Sequence, residues 1–184
     1  GEVRRDTPST DGFPPGKRLS ELFMKILLTN PPWSKGARYG VRAGSRWPFT
    51  MPAASPRDIT YAPFPFFLAY TAALLEREGF TVKALDAIAE GLEDAAYREA
   101  VQAFAPDVIL AETAAASFEQ DARWAREARD MLPGCTYVFA GPHATHAPEA
   151  VLAEVPEVAG CLLGEYEWTA LELMRTLRDG GAPE

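Results

Sequence analysis

The sequence predicts an α/β domain: a doubly wound, five-stranded parallel sheet of flavodoxin-like or Rossmann-like order 2-1-3-4-5, with helices on both faces. Three observations predict it. Short apolar runs alternate with segments of helical period five times along the chain, the pattern of repeated β-α units. The runs are apolar at consecutive positions, as in strands covered on both faces, rather than alternately apolar and polar. Proline and glycine stand at the joints and rarely inside the elements, where they would break a strand or helix.

The elements follow in order. Residues 25–29 (KILLT) form the first strand, stopped by Asn30-Pro31-Pro32. A long loop rich in Gly, Arg and aromatics runs to about residue 61. Residues 64–78 carry Phe67, Leu68, Thr71, Leu74 and Leu75 at helical spacing, and Gly79 ends that helix. Residues 81–85 (TVKAL) are the second strand, closing on Asp86, and residues 92–104 the second helix, followed by Pro106. Residues 107–111 (DVILA) are the third strand. Residues 117–132 are the third helix, with Ser117 expected as its N-cap and Pro133-Gly134 after it. Residues 136–140 (TYVFA) are the fourth strand, leading into Gly141-Pro142-His143. A short helix at 148–152, a fifth strand at 160–163 (GCLL) and a last helix at 165–177 complete the domain.

Residues 1–23 differ from the rest. They are rich in Pro, Gly, Ser, Thr and charge, with no apolar period, and such a segment buries too little to offset its ordering entropy. We expect a flexible extension or tag over 1–23, a folded domain over 24–178 beginning at Met24, and a linker over 179–184 leading toward a further domain.

Composition excludes several classes. The net charge is −8 and the basic residues form no stripe, which disfavours a nucleic-acid partner, because phosphate binding draws on clustered Lys and Arg. No apolar run approaches the ~20 residues that span a bilayer, and no secretory pattern opens the chain. Cys135 and Cys161 are too few and too far apart in sequence for a disulfide framework or a zinc site. Both read as core residues of a cytoplasmic protein.

In open α/β sheets, ligands bind outside the carboxyl ends of the strands. That rule gathers scattered residues into one candidate site: Asn30, Pro31, Pro32 and Trp33 after the first strand; Asp86 after the second; Glu112, Thr113 and Ser117 after the third; Gly141, His143 and Thr145 after the fourth; Gly164, Glu165 and Glu167 after the fifth. All five ends carry small or polar residues suited to a ligand. Glu165 and Glu167 also fit a purely structural role, as carboxylates at a helix N-terminus. The loop 34–57 is longer than ~12–15 residues, the usual limit for a structureless connection. Its Arg42 and Ser45 are added to the candidates, since arginine grips carboxylates or phosphates. No catalytic residue and no metal ligand emerges. His143 and His146 sit in a turn rather than on one helix face, and no nucleophile elbow, Walker loop or Gly-rich dinucleotide loop is present.

Taken together, KILLTNPPW, YGVRAGSRWPF, PFPFFLAYTAALLEREGFTVKALDA, PDVILAET, VFAGPHATHAPE and LLGEYEWTALEL resemble the N-terminal cobalamin-binding domain of cobalamin-dependent radical S-adenosylmethionine proteins. The resemblance covers Met24 to about Leu177. It implies a Rossmann-like fold with the corrin ring over the strand ends and no histidine ligating the cobalt. His143, matching the family's G-G-x-H-x-T turn, would then contact the cofactor. Two positions depart from the family pattern: Ala140 replaces the first glycine of that turn, and Gly164-Glu165-Tyr166-Glu167 stands where G-E-G-E is usual. The resemblance also implies a partner, a radical S-adenosylmethionine domain in cis or trans. That domain would hold S-adenosylmethionine and an iron–sulfur cluster on a cysteine triad that this chain lacks.

The function expected is therefore a cobalamin-binding module that presents a corrinoid for methyl transfer, ring formation being the other reaction considered. Two alternatives stand beside it. Asn30-Pro31-Pro32-Trp33 resembles the catalytic turn of amino-methyltransferases acting on nucleic-acid adenine, though no Gly-rich S-adenosylmethionine loop accompanies it. A flavodoxin-like interaction domain without cofactor is the other, but the strand ends lack the acidic cluster and lysine of a receiver.

Overall fold

The computed structural model describes residues 24–40, 50–60 and 62–182. The expected extension 1–23 and the loop candidates Arg42 and Ser45 lie outside the described residues.

Five strands form the parallel sheet: β1 (Lys25–Asn30), β5 (Thr81–Asp86), β6 (Val108–Glu112), β7 (Thr136–Ala140) and β8 (Gly160–Cys161), in the order β5-β1-β6-β7-β8. This is the 2-1-3-4-5 order expected. Central β1 pairs with β5 from Lys25↔Thr81 to Asn30↔Asp86, and with β6 from Ile26↔Val108 to Thr29↔Ala111. Its residues Ile26 to Asn30 are all buried, which is why it reads as an unbroken apolar run.

Successive strand side chains point to opposite faces, and the sheet sorts them into two cores. Ile26, Leu28, Val108, Leu110 and Val138 pack under α1 (Phe66–Arg77) and α6 (Glu167–Arg178), whose buried faces supply Leu68, Leu75, Leu171 and Met174. Leu27, Leu85, Ile109, Tyr137 and Phe139 pack under α2 (Asp94–Phe104), α3 (Phe118–Met131) and α5 (Pro148–Glu154), with Tyr97, Val101, Trp124 and Val151. Trp124 anchors the second core. Its ring meets Tyr97 edge-on at 4.7 Å, and the Arg98 and Arg123 guanidinium groups lie 5.0 and 4.5 Å from its centre.

Several details differ from the sequence expectation. The long loop contains a small antiparallel sheet of β2 (Ser34–Lys35), β3 (Arg38–Tyr39) and β4 (Met51–Pro52), followed by a 3-10 turn at Pro56–Asp58. Its two-residue strands are too short to show a period. A further helix, α4 (Pro142–His146), follows Gly141, where only a turn was expected; proline is favoured in the first turn of a helix. Ser117 occupies the N-cap position of α3, but its side chain makes no cap hydrogen bond. The hydroxyl instead donates to Asp121 Oδ2 at 2.7 Å. The last helix begins at Glu167, so Glu165 precedes it on the turn opened by Gly164 (φ 66°). Both cysteines are free thiols, and burial pushes the Cys135 thiol up to about 12.

Candidate functional site

The carboxyl edge of the sheet carries polar residues on both faces, and the two sets are built differently. On the α2/α3 face, Thr29 donates to the Leu85 carbonyl at 2.8 Å and lies 3.2 Å from the Tyr97 hydroxyl. Ser117 bridges Asp121 and the backbone of Ala114, 3.2 Å away. Asp121 is 3% exposed. Burial pushes its carboxyl up to about 7, against the opposing pull of the Ser117 hydroxyl. Ser117 thus serves a buried carboxyl inside the fold, whereas the Thr113 hydroxyl is buried without a hydrogen-bond partner among the described residues.

On the α1/α6 face, three residues that the sequence had placed just after their strands are in fact the last residues of those strands: Asp86 of β5, Asn30 of β1 and Glu112 of β6. Strand alternation therefore applies to them. Leu28 and Leu110 belong to the α1/α6 core, so Asn30 and Glu112, two residues on, share that face. Asp86 stands opposite Asn30 in register. Asp86, Asn30 and Glu112 thus form a row across three adjacent strands beneath the start of α1.

A cleft opens on each side of this row. One, of about 400 Å³, is lined by Glu112, Gly141, Thr145, His146, Gly164 and Tyr166, with Phe67 of α1 at its rim. Tyr166 is 1% exposed and donates its hydroxyl to Glu112 Oε1 at 2.9 Å. Burial and the neighbouring Glu112 carboxyl both hold its phenol far above the usual range. The other, of about 340 Å³, is mostly apolar, with Leu28, Phe64, Leu68 and Ala84 around Asp86. Asp86 Oδ1 accepts the Ala89 N–H at 3.1 Å, which fixes the turn after β5. Between the clefts, Asn30 is 2% exposed, and neither its Oδ1 nor its Nδ2 has a hydrogen-bond partner among the described residues. Exposed Phe64, Phe66, Tyr70 and Trp168 stand on α1, the segment leading into it and α6.

The loops are held close. Gly141 adopts φ 93°, and a Cβ there would stand 3.0 Å from the Thr113 carbonyl oxygen and 3.2 Å from its nitrogen, so glycine lets the β6 and β7 ends touch. The His143 N–H donates to that same Thr113 carbonyl at 3.1 Å. The Gly164 N–H donates to Thr145 Oγ1 at 3.0 Å, joining the β7 and β8 ends.

The expected site residues therefore divide. Glu112, Gly141, Thr145 and Gly164 come together around one cleft, Asp86 lines the other, and Asn30 lies between them. Pro32 belongs elsewhere, in a hollow of about 300 Å³ with Trp33, Tyr39 and Leu92, and its carbonyl accepts the Trp124 Nε1–H at 3.2 Å. Pro31 is buried, and Glu165 is exposed. The His143 ring lies 4.6 Å from Phe118, whereas His146 lines the larger of the two row-side clefts. Phe67 and Tyr166 were missed as site residues. Tyr166 carried a signal, as the departure from G-E-G-E, and Phe67 belongs to an aromatic run, Phe64-Pro65-Phe66-Phe67, denser than a solvated helix start requires.

Comparisons with known proteins place the chain. An uncharacterized methyltransferase of Pyrococcus horikoshii is 32% identical over 158 residues, covering 85% of this chain and 30% of that protein. The anaerobic magnesium-protoporphyrin IX monomethyl ester cyclase of Rubrivivax gelatinosus is 25% identical over 158 residues, 85% of this chain and 25% of that one. The chain thus spans between a quarter and a third of these relatives. The solved radical S-adenosylmethionine methyltransferase TsrM of Kitasatospora setae, with cobalamin and an iron–sulfur cluster bound, shares the fold at a TM-score of 0.61 and 16% identity, over 86% of this chain and 25% of that one. The model of the B12 binding domain matches residues 58–174, which include every residue named around the 400 Å³ cleft, and the chain belongs to the B12-binding domain family.

Proposed function

We propose that this chain holds cobalamin over the carboxyl edge of its sheet and presents it to a radical S-adenosylmethionine domain, joined in cis or acting in trans, for methyl transfer. The observation that carries this reading is the coincidence of the family match with the cleft: the matched span supplies Glu112, Gly141, Thr145, Gly164, Tyr166 and Phe67.

The residues present fit the group. A corrinoid is a broad, flat macrocycle with amide arms and a nucleotide tail. The α1/α6 side offers apolar aromatic surface from Phe64 and Phe67, a polar row from Asp86, Asn30 and Glu112, and two clefts beside that row. Asn30, Asp86, Glu112, Gly141, Thr145 and Gly164 are the proposed contacts, with Phe67 and Tyr166 added. Arg42 and Ser45 stay in the proposal on the sequence alone. Pro31, Pro32, Thr113 and Ser117 shape the loops around the contacts, His143 braces α4 against Phe118, and Glu165 stands at the outer rim.

When bound, the corrinoid's cobalt supplies the carrying and release of the transferred group. The chain's own residues bind and orient it, and no catalytic step is assigned to them. S-adenosylmethionine and the iron–sulfur cluster belong to the partner domain. Methyl transfer is preferred over ring formation because the relative at 32% identity is a methyltransferase and the cyclase stands at 25%. The family assignment sets aside the amino-methyltransferase reading of Asn30-Pro31-Pro32-Trp33. We place the protein in the cytoplasm, a reading supported by its two free thiols; among the described residues no helix is long and apolar enough to cross a membrane.

The test is direct. Protein mixed with hydroxocobalamin and desalted retains corrin absorbance near one equivalent; loss of all absorbance on desalting overturns the proposal.

A further inference from the structure

Asn30 presents a problem that the fold does not solve. Buried side-chain amides are almost always hydrogen-bonded, and an exception in a native structure calls for an explanation. Here both ends of the amide lack a partner among the described residues, at 2% exposure, on the central strand of the sheet. The residue lies outside the matched span 58–174, so the family model does not account for it.

The chemistry of the orphaned pair narrows what completes it. An asparagine amide holds an acceptor oxygen and a two-proton donor nitrogen in one plane. A phosphate or carboxylate offers acceptors only and leaves Oδ1 unpaired. A single hydroxyl donates one proton and cannot reach both ends in plane. A primary carboxamide carries the mirror set, one acceptor and one donor nitrogen, and satisfies both ends at once.

Asp86 faces Asn30 in register on β5, and Glu112 follows Ala111 on β6 just as Asn30 follows its partner Thr29 on β1. The row also lies between the two clefts, with Glu112 lining one and Asp86 the other.

We propose that Asn30, flanked by Asp86 and Glu112, is the amide-reading position of the site: it pairs with a primary carboxamide on the rim of the corrinoid and rejects a corrinoid bearing a carboxylate there. This rests on the cobalamin-holding function above and makes Asn30 a specificity-determining residue of that site.

The experiment compares ligands on the unaltered chain. Hydroxocobalamin and its separate monocarboxylic acids, each with one peripheral amide hydrolysed, are titrated at pH 7.5 with Trp fluorescence as readout. At least one monocarboxylate is expected to bind ten-fold or more weakly than hydroxocobalamin. In Asn30→Leu, or in Asn30→Ser if the first variant fails to fold, that ratio falls to within about two-fold. Monocarboxylates that all bind within two-fold of hydroxocobalamin on the unaltered chain overturn the inference and leave the proposed function standing, as does a ratio that persists in the variant. Failure of hydroxocobalamin itself to bind overturns both.

Discussion

Where the sheet's carboxyl edge meets α2 and α3, Thr29, Ser117 and Asp121 are hydrogen-bonded within the fold; where it meets α1 and α6, Asp86 and Glu112 line clefts on either side of an Asn30 amide that nothing among the described residues pairs. Both sets arise from the same strand ends, and neighbouring residues of one strand serve opposite purposes. Thr29 is spent on the Leu85 carbonyl, and the next residue, Asn30, has an amide that nothing among the described residues pairs. Asp121 is buried but carries Ser117 against it, while Glu112 is buried with Tyr166 against it at the floor of a cleft. The α2/α3 edge carries the buried Ser117–Asp121 pair, and the α1/α6 edge carries the proposed corrinoid contacts. An unpaired buried amide costs stability, and a fold retains it where a ligand completes it.

If the comparison is right, changes on the α2/α3 edge alter stability far more than binding. The largest effect is expected for Trp124→Ala, which empties the space between Tyr97 and the two guanidinium groups and removes the Nε1–H bond to Pro32. Loss of a buried Trp costs about 3–5 kcal/mol, visible as a lower urea midpoint. The hydroxocobalamin affinity of the folded fraction should stay within about two-fold. A larger loss of affinity would mean that the two edges are coupled.

Next is the pH dependence set by Asp121. Its carboxyl is raised from 3.8 to about 7 in the folded protein, so the folded state binds the proton more tightly than the unfolded chain does. The stability tied to this group is full below about pH 4, is lost as pH rises through 7, and changes little beyond that. Asp121→Asn removes the burden of the buried charge. The variant should exceed the parent by roughly 2–4 kcal/mol at pH 8 and converge with it toward pH 4. Denaturant titrations at three pH values check this, and a difference independent of pH would contradict it.

The smallest effect belongs to the α1/α6 edge. Asn30→Leu replaces an unpaired amide with an apolar side chain of similar size and should leave the unliganded protein level with the parent or more stable by about 1 kcal/mol, read as an equal or higher melting temperature. A clear loss of stability would show that Asn30 is a structural residue and would erase the contrast between the edges. A gain in stability together with a loss of corrinoid discrimination would sharpen it, as residues held for function often cost stability.

Much of the fold was legible in the residues. The strand order follows from five β-α repeats and the handedness of their crossovers, and the strand ends were marked by Asn30-Pro31, Asp86 and Gly141. The sheet in the 34–57 loop was not legible, because its pairs such as Ser34↔Tyr39 and Tyr39↔Met51 join two-residue strands in which no period can show. Of the residues that line the 400 Å³ cleft, Glu112, Gly141, Thr145 and Gly164 were named by the strand-end rule, which ranks residues by place and not by direction. That blindness explains the remainder. Ser117 stands after a strand end and turns inward to Asp121, and His143 turns to Phe118. Tyr166 was visible as an unusual residue, yet its hydroxyl reaches Glu112 across 54 positions of sequence, and no local pattern encodes that contact.

By itself the sequence determined the α/β class and the strand order, and it pointed to the carboxyl edge now proposed as the ligand site, because hydrophobic period and turn chemistry are local and repeat with every unit. Only the tertiary structure decided which polar side chains turn to each face of that edge. A one-residue difference in where a strand ends moves Asn30, Asp86 and Glu112 from loop to ladder, and the ladder then sets their direction. Whether a polar group is satisfied depends on partners brought from distant parts of the chain, as Tyr166 is brought to Glu112, while nothing among the described residues is brought to Asn30.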